Sequence, residues 1–271
     1  MLQSVIAPRS IAEVAKALAK SAAPLLMAGG TTVMPMINSG QHDVATLVSL
    51  RNLGLDKVSI SKKAGVTIGA ATPIAALSRY KELAFLAGAI ASFGSPTLRN
   101  MATVGGNLFV QRPAGDFAVC LVALGASATI AKAKSSRVEA VETLVRKGLK
   151  PGEIVTQVSF PLPAAGTFKF RKVGRRALNT PAIITVAAVV PLVRGVIRNC
   201  RVALGAVVPR PARASHVEAL LEGKPLNLET VSTAAMAASA DIDPADDAVA
   251  SAWYRARVTP VHIRRAIMGE Q

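Results

Sequence analysis

Apolar residues recur at helical spacing at Ile11, Val14, Ala15 and Leu18, behind a Ser10-Ile11-Ala12-Glu13 run with the spacing of a capping box, so a helix starts there. Residues 24–27 read as a short buried strand that ends in Ala28-Gly29-Gly30-Thr31-Thr32, and a second helical turn follows with Pro35 near its start. Another strand is expected at 46–50. The segment 56–64, rich in charge and Ser, reads as a boundary that closes a small first subdomain.

Residues 65–70 form a β-branched strand, with Thr72-Pro73 as cap and first residue of a helix running towards Tyr80. A longer apolar helix covers 82–92, and 93–107 is the densest stretch of turn chemistry in the chain. Asp116 opens an apolar helix through Ala126. Strands follow at 127–133, 154–160, 168–173, 183–190 and 200–208, mostly close enough to be antiparallel neighbours. Helical segments are expected around 215–221, 228–240 and 260–268. There is no internal repeat, and the pattern is that of a mixed α+β chain of two or three subdomains.

At 271 residues and 51% hydrophobic, the chain can bury several small cores. No stretch reaches the ~18 uninterrupted apolar residues of a membrane span, and Met1-Leu2-Gln3-Ser4 does not start a secretory signal, so a cytoplasmic address is expected. Cys120 and Cys200 lie in apolar stretches and read as core thiols, while His42, His216 and His262 are scattered, which argues against a metal site or a protein-held iron–sulfur cluster. The net charge of +16 raises a nucleic-acid reading. The basic residues are dispersed, however, apart from Lys169, Arg171, Lys172, Arg175 and Arg176 and the group Arg255, Arg257, Arg264 and Arg265. A solvated surface, or a face for an acidic partner, explains the charge at least as well.

The chemistry concentrates in two double-glycine turns, Ala28-Gly29-Gly30-Thr31-Thr32 and Thr103-Val104-Gly105-Gly106-Asn107. Lacking a Cβ, such turns can present successive backbone N–H groups to an anion and let a diphosphate approach the main chain. Their hydroxyl and amide side chains can donate to phosphate or sugar oxygens, and a helix after Gly29-Gly30 would add its dipole. Neither a Gly-x-Gly-x-x-Gly opening a helix nor a P-loop is present, so a dinucleotide would be held by some other fold than a Rossmann domain.

These turns, with Arg99 to Leu108 around the second, Gly115-Asp116 before an apolar helix, and Phe170-Arg171-Lys172-Val173-Gly174-Arg175-Arg176 leading into 182–188, resemble the FAD-binding medium subunit of molybdenum hydroxylases, the family of xanthine and carbon monoxide dehydrogenases. The resemblance spans essentially the whole chain. It implies a type-2 (PCMH-like) FAD-binding fold of two α/β subdomains, at 1–56 and 57–165, plus an α+β C-terminal domain with an antiparallel sheet at 166–271. It also implies residue roles. Ala28, Gly29, Gly30, Thr31 and Thr32 would hold the diphosphate; Thr103 and Asn107 would reach phosphate or ribityl oxygens, with Gly105 and Gly106 allowing close passage. Asp116 would accept from ribityl or ribose hydroxyls, or cap its helix, or both. Phe93 would pack near the cofactor and Ile154 and Val155 against the flavin ring. Lys172, with Arg171 as the alternative, would approach the pyrimidine edge of the isoalloxazine. The chain departs from several relatives where it reads Val110-Gln111-Arg112-Pro113 in place of a His-Ala-Asp-Pro run.

The function so implied is electron transfer without substrate chemistry: a non-covalent FAD takes electrons from a two-cluster [2Fe–2S] small subunit, itself fed by a molybdopterin large subunit, and passes them to an external acceptor. The assembly expected is a dimer of heterotrimers with neither nucleic acid nor a membrane span. Two other readings stand beside it, a self-sufficient flavin oxidoreductase of the related fold and a non-enzymatic basic binding module.

Overall fold

A computed structural model describes residues 2–21, 23–40, 44–113 and 115–270. The first unit is β1 (Ser4–Ile6), α1 (Ile11–Lys20), β2 (Pro24–Met27), α2 (Val33–Asn38) and β3 (Thr46–Ser49). Ser10 caps α1 by accepting the Glu13 N–H, and Glu13 returns its carboxylate to the Arg9 N–H rather than to Ser10. The three strands form a parallel sheet in the order β1-β3-β2. Its core of Val14, Ala17 and Val48 is completed by Ile154 from the next unit.

The second unit contains β4 (Val58–Ser61), β5 (Gly65–Gly69), α3 (Ala87–Ser92), α4 (Pro96–Met101), α5 (Val104–Asn107), α6 (Asp116–Ala123), β6 (Ser127–Lys132), β7 (Ser135–Ala140), α7 (Val141–Lys147) and β8 (Ile154–Phe160). Its sheet is antiparallel throughout, in the order β4-β5-β8-β6-β7. The segment expected to be a boundary therefore contains a strand, whose Val58-Ser59-Ile60-Ser61 alternation is the signal for it. The helix expected after Thr72-Pro73 is a 3-10 turn over Ile74–Arg79; Thr72 does not cap it, and its buried hydroxyl finds no partner among the described residues. Residues 82–92 likewise divide into a 3-10 turn, Lys81–Leu86, and α3.

The third unit is β9 (Phe168–Gly174), β10 (Ala182–Val189), the hairpin β11 (Leu192–Val193) and β12 (Val196–Ile197), β13 (Arg201–Gly205), β14 (Ala212–Arg213), α8 (Ser215–Leu221), α9 (Leu228–Met236) and α10 (Ala252–Met268). Four strands make an antiparallel sheet in the order β14-β13-β10-β9. The last helix starts eight residues before the expected Pro260, capped by Ser251 accepting the Tyr254 N–H, and Pro260 sits inside it. Thr259 donates its hydroxyl to the Arg255 carbonyl one turn back.

One element joins the units. All eight residues of α6 are buried, because the helix is sandwiched between the second unit and the C-terminal sheet. In β10, Ala187 and Val189 face α6, while Ile184, Val186 and Ala188 face the core under α8, α9 and α10. The same two-residue period in β9 points Phe168 and Phe170 to the first face and Val173 to the second.

Candidate cofactor site

A cavity of about 900 Å³ lies where the three units meet, at the upper end of the ~300–1,000 Å³ range of small-molecule pockets. Of the residues given a cofactor role from the sequence, its walls collect all but the alternative Arg171: Ala28, Gly29, Gly30, Thr31 and Thr32; Phe93; Thr103, Gly105, Gly106 and Asn107; Asp116; Ile154 and Val155; and Lys172. Most of the remaining lining is apolar, with Val33, Met36, Leu98, Phe109 and Leu149 among it.

The first glycine loop packs on the segment that leads into the second. A Cβ on Gly29 would fall on the Met101 carbonyl, and Gly30 adopts φ +75°, so the first loop can take this path only with glycine. Among the described residues the amides of Gly29, Gly30, Thr31 and Thr32 donate to no protein acceptor, and the hydroxyls of Thr31 and Thr32 are equally unspent. These are the donors that an anionic group in the cavity would need. Since α2 has only six residues, the loop amides rather than a helix dipole make this end electropositive.

The second loop works differently from the sequence expectation. It is a one-turn helix, α5, capped by Thr103, whose Oγ1 accepts the Gly106 N–H at 3.2 Å. The Gly105 N–H goes to the Ala70 carbonyl at 2.8 Å and the Val104 N–H to that of Thr72 at 3.0 Å. Its amides are thus spent on the protein and do not form an anion nest. The reason for glycine at 105 is contact with the end of β5, since a Cβ there would meet Ala70 side chain and carbonyl. Asn107 is 4% exposed and accepts the Ala118 N–H at 2.8 Å through Oδ1, which leaves its amide N–H groups for the cavity.

Asp116 stands at the first position of α6, after Gly115 with φ +91°, and makes no cap bond to that helix. Its carboxylate is instead divided between two strands of the C-terminal sheet: Lys172 Nζ reaches Oδ2 at 2.7 Å, and the Thr185 hydroxyl donates to Oδ1. Lys172 also donates to the Ser92 carbonyl at 3.2 Å. Arg171 points to the opposite face, as strand alternation requires, and donates to His262 Nδ1 and to the Glu270 carbonyl. Of the two cations considered from the sequence, the cavity receives Lys172. The basic run at 169–176 is therefore partly internal, and Arg255 in the C-terminal group is fully buried.

Other wall residues escaped the sequence reading. The segment Lys150-Pro151-Gly152-Glu153 borders the cavity, and its Pro-Gly pair directly before a strand is a usable turn signal. Glu153 is gripped by Arg137 at 2.9 Å, and this hydrogen bonding holds its carboxyl down to about 2. Asn179, Thr180 and Pro181 form part of the wall between β9 and β10. Arg112, in the departing 110–113 segment, donates to the Asp243 carbonyl at 3.0 Å. Among the described residues no three His, Cys, Asp or Glu side chains converge as metal ligands, Cys120 and Cys200 are buried free thiols, and no helix is long and apolar enough to cross a membrane. His42 lies outside the described residues.

Residues 2–163 match the family model described as FAD binding domain in molybdopterin dehydrogenase, and residues 169–269 match CO dehydrogenase flavoprotein C-terminal domain. The glyceraldehyde dehydrogenase medium chain of Sulfolobus acidocaldarius is 31% identical over 259 residues, covering 89% of this chain and 88% of that protein. The carbon monoxide dehydrogenase medium chain of Afipia carboxidovorans is 29% identical over 273 residues, covering 96% and 93%. In structure, the chain is similar to one from reconstituted CO dehydrogenase of Oligotropha carboxidovorans, with a TM-score of 0.90 at 26% identity over 99% of this chain and 96% of that one.

Proposed function

The chain belongs to the family of FAD-binding medium subunits of molybdopterin dehydrogenases, and on that premise we propose that it binds one FAD non-covalently in this cavity and relays electrons from an iron–sulfur partner to an external acceptor. The observation that carries the reading is the meeting of unspent loop amides, a large apolar-walled cavity and a buried Lys172–Asp116 pair at one place.

The residues fit the group. Loop amides 29–32 with the Thr31 and Thr32 hydroxyls suit the diphosphate, while the free amide of Asn107 and the hydroxyl of Thr103 suit phosphate or ribityl oxygens. The apolar side chains of Ile154 and Val155, 1% and 5% exposed, and of Phe93 line the same cavity and would pack against rings. Lys172 would stand at the pyrimidine edge. Asp116, with both oxygens already engaged inside the protein, acts on the cofactor through Lys172 more than by accepting its hydroxyls directly. Bound FAD supplies the redox chemistry, and the chain supplies position, exclusion of water and local charge.

The partners proposed are a molybdopterin large subunit and a small subunit with two [2Fe–2S] clusters, in a dimer of heterotrimers. The relatives named as medium chains support the presence of a larger and a smaller partner. Their names point to different substrates, which fits a chain whose own residues do no substrate chemistry.

The relay is tested by loading the chain with FAD and mixing it anaerobically with glyceraldehyde or carbon monoxide, alone and with the co-expressed partner subunits. Flavin bleaching only in the complex, or by a chemically reduced [2Fe–2S] partner, is the expected result. Fast bleaching of the lone subunit by an organic substrate would favour a self-sufficient flavin oxidoreductase.

A further inference from the structure

Thr185 is the single polar side chain in β10, in the sequence Ala-Ile-Ile-Thr-Val-Ala-Ala-Val, and is 1% exposed. It belongs to the face that packs on α6. A hydroxyl buried there is costly unless a partner takes its proton, and the partner is Asp116 Oδ1. Thr185 and Lys172 are also direct register partners across β10 and β9, so the two side chains stand together and take opposite oxygens of one carboxylate. On the other side of Thr185, in register, lies Gly205, where a Cβ would run into Val119; its absence lets α6 lie close on the sheet.

We propose, on the flavin reading above, that Thr185 is a positioning residue of the cofactor site: its hydroxyl holds the Asp116 carboxylate in the orientation that aims the Lys172 ammonium into the cavity. An ammonium has three N–H donors. One goes to Asp116 and one to the Ser92 carbonyl, which leaves one for a ligand. Because the pair is charge-balanced, it offers the flavin one directed donor rather than a free positive charge. Without the Thr185 hydroxyl, Asp116 Oδ1 loses that partner, and the carboxylate is free to turn both oxygens towards Lys172 and draw the ammonium off the cavity wall.

The test is Thr185→Val, close to isosteric, measured by FAD titration and by the absorption spectrum of the bound flavin. FAD binding should weaken by about tenfold with a shifted flavin band, and Thr185→Ser should restore both. In a Lys172→Met background, Thr185→Val should cause no further loss of affinity, as expected of a residue that acts through Lys172. Thr185→Ala takes the place of the valine variant if that one does not fold. A variant that melts earlier but keeps wild-type affinity and spectrum, or whose effect adds fully to that of Lys172→Met, overturns the assignment. Failure of the wild-type chain itself to take up FAD overturns the flavin reading first, and this assignment with it.

Discussion

The α-carbon of Gly29 packs against the main-chain carbonyl of Met101, so that the loop with unspent amides is braced by the segment leading into the second glycine loop. The contact ties the first unit to the second across the cavity. It makes glycine at 29 a matter of space rather than of φ, which is not in the left-handed region there.

Gly29→Ala should therefore push the two loops apart. The expected result is a folded chain, destabilised by about 1–3 kcal/mol for a small overpacked site, with FAD affinity reduced far more than stability. Denaturant unfolding of the apo form beside an FAD titration checks this. Equal affinity in the variant would show that the loops do not cradle the cofactor together.

Asp116→Ala leaves the buried Lys172 ammonium without its partner. It should cost about 3–5 kcal/mol in the apo protein and also weaken FAD binding. The double variant Asp116→Leu with Lys172→Met removes both charges and should regain much of the stability but none of the affinity. Recovery of both together would deny the pair any role towards the cofactor.

Arg255 is 0% exposed and donates to the carbonyls of Ile183, Ala245 and Ala250 while pairing with Asp247 at 2.9 Å. It pins the 245–250 loop to the start of β10. Arg255→Met should destabilise by about 3 kcal/mol or more, because Asp247 and several carbonyls lose their donor. Limited proteolysis should then cut first between 245 and 250.

His262 accepts from Arg171 Nε, and burial, with Arg171 and Arg265 nearby, pushes its pKa down to about 4. Below about 6.5 the unfolded chain binds a proton that the folded chain refuses. Stability should thus fall as pH drops from about 6.5 towards 4, by on the order of 1–2 kcal/mol after allowance for solvent screening. Glu153 acts lower, its stabilisation being lost between 4.5 and about 2. His262→Gln keeps an acceptor for Arg171 and should flatten the upper window alone; an unchanged profile would contradict the assignment.

Much of this was legible in the sequence. The capping box at Ser10, the strand, glycine loop and helix at 24–38, and the long apolar runs of β8 and β10 carry their own periodicity, and the family motifs pointed to every residue placed on the cavity wall from the sequence. What was hidden is tertiary. That the Gly105 amide is spent depends on Ala70 lying beneath it at the end of β5, whereas the Gly106 amide goes to the local Thr103 cap, and that Asp116 serves two strands depends on α6 being covered by strands 52 to 73 residues further along. The mostly polar edge strand β7, the two-residue β14, and the start of α10 ahead of Pro260 lack a strong local signal. The choice between Lys172 and Arg171 is itself legible in the sequence: Phe168 and Phe170 mark one face of β9, and Lys172 continues it.

The most direct measurement is a titration of the purified apo chain with FAD, followed by acid precipitation. Flavin fluorescence should quench to an end point of one FAD per chain, and the acid supernatant should return all of the flavin while the pellet stays colourless. No uptake, or flavin retained in the pellet, would contradict the account at its centre.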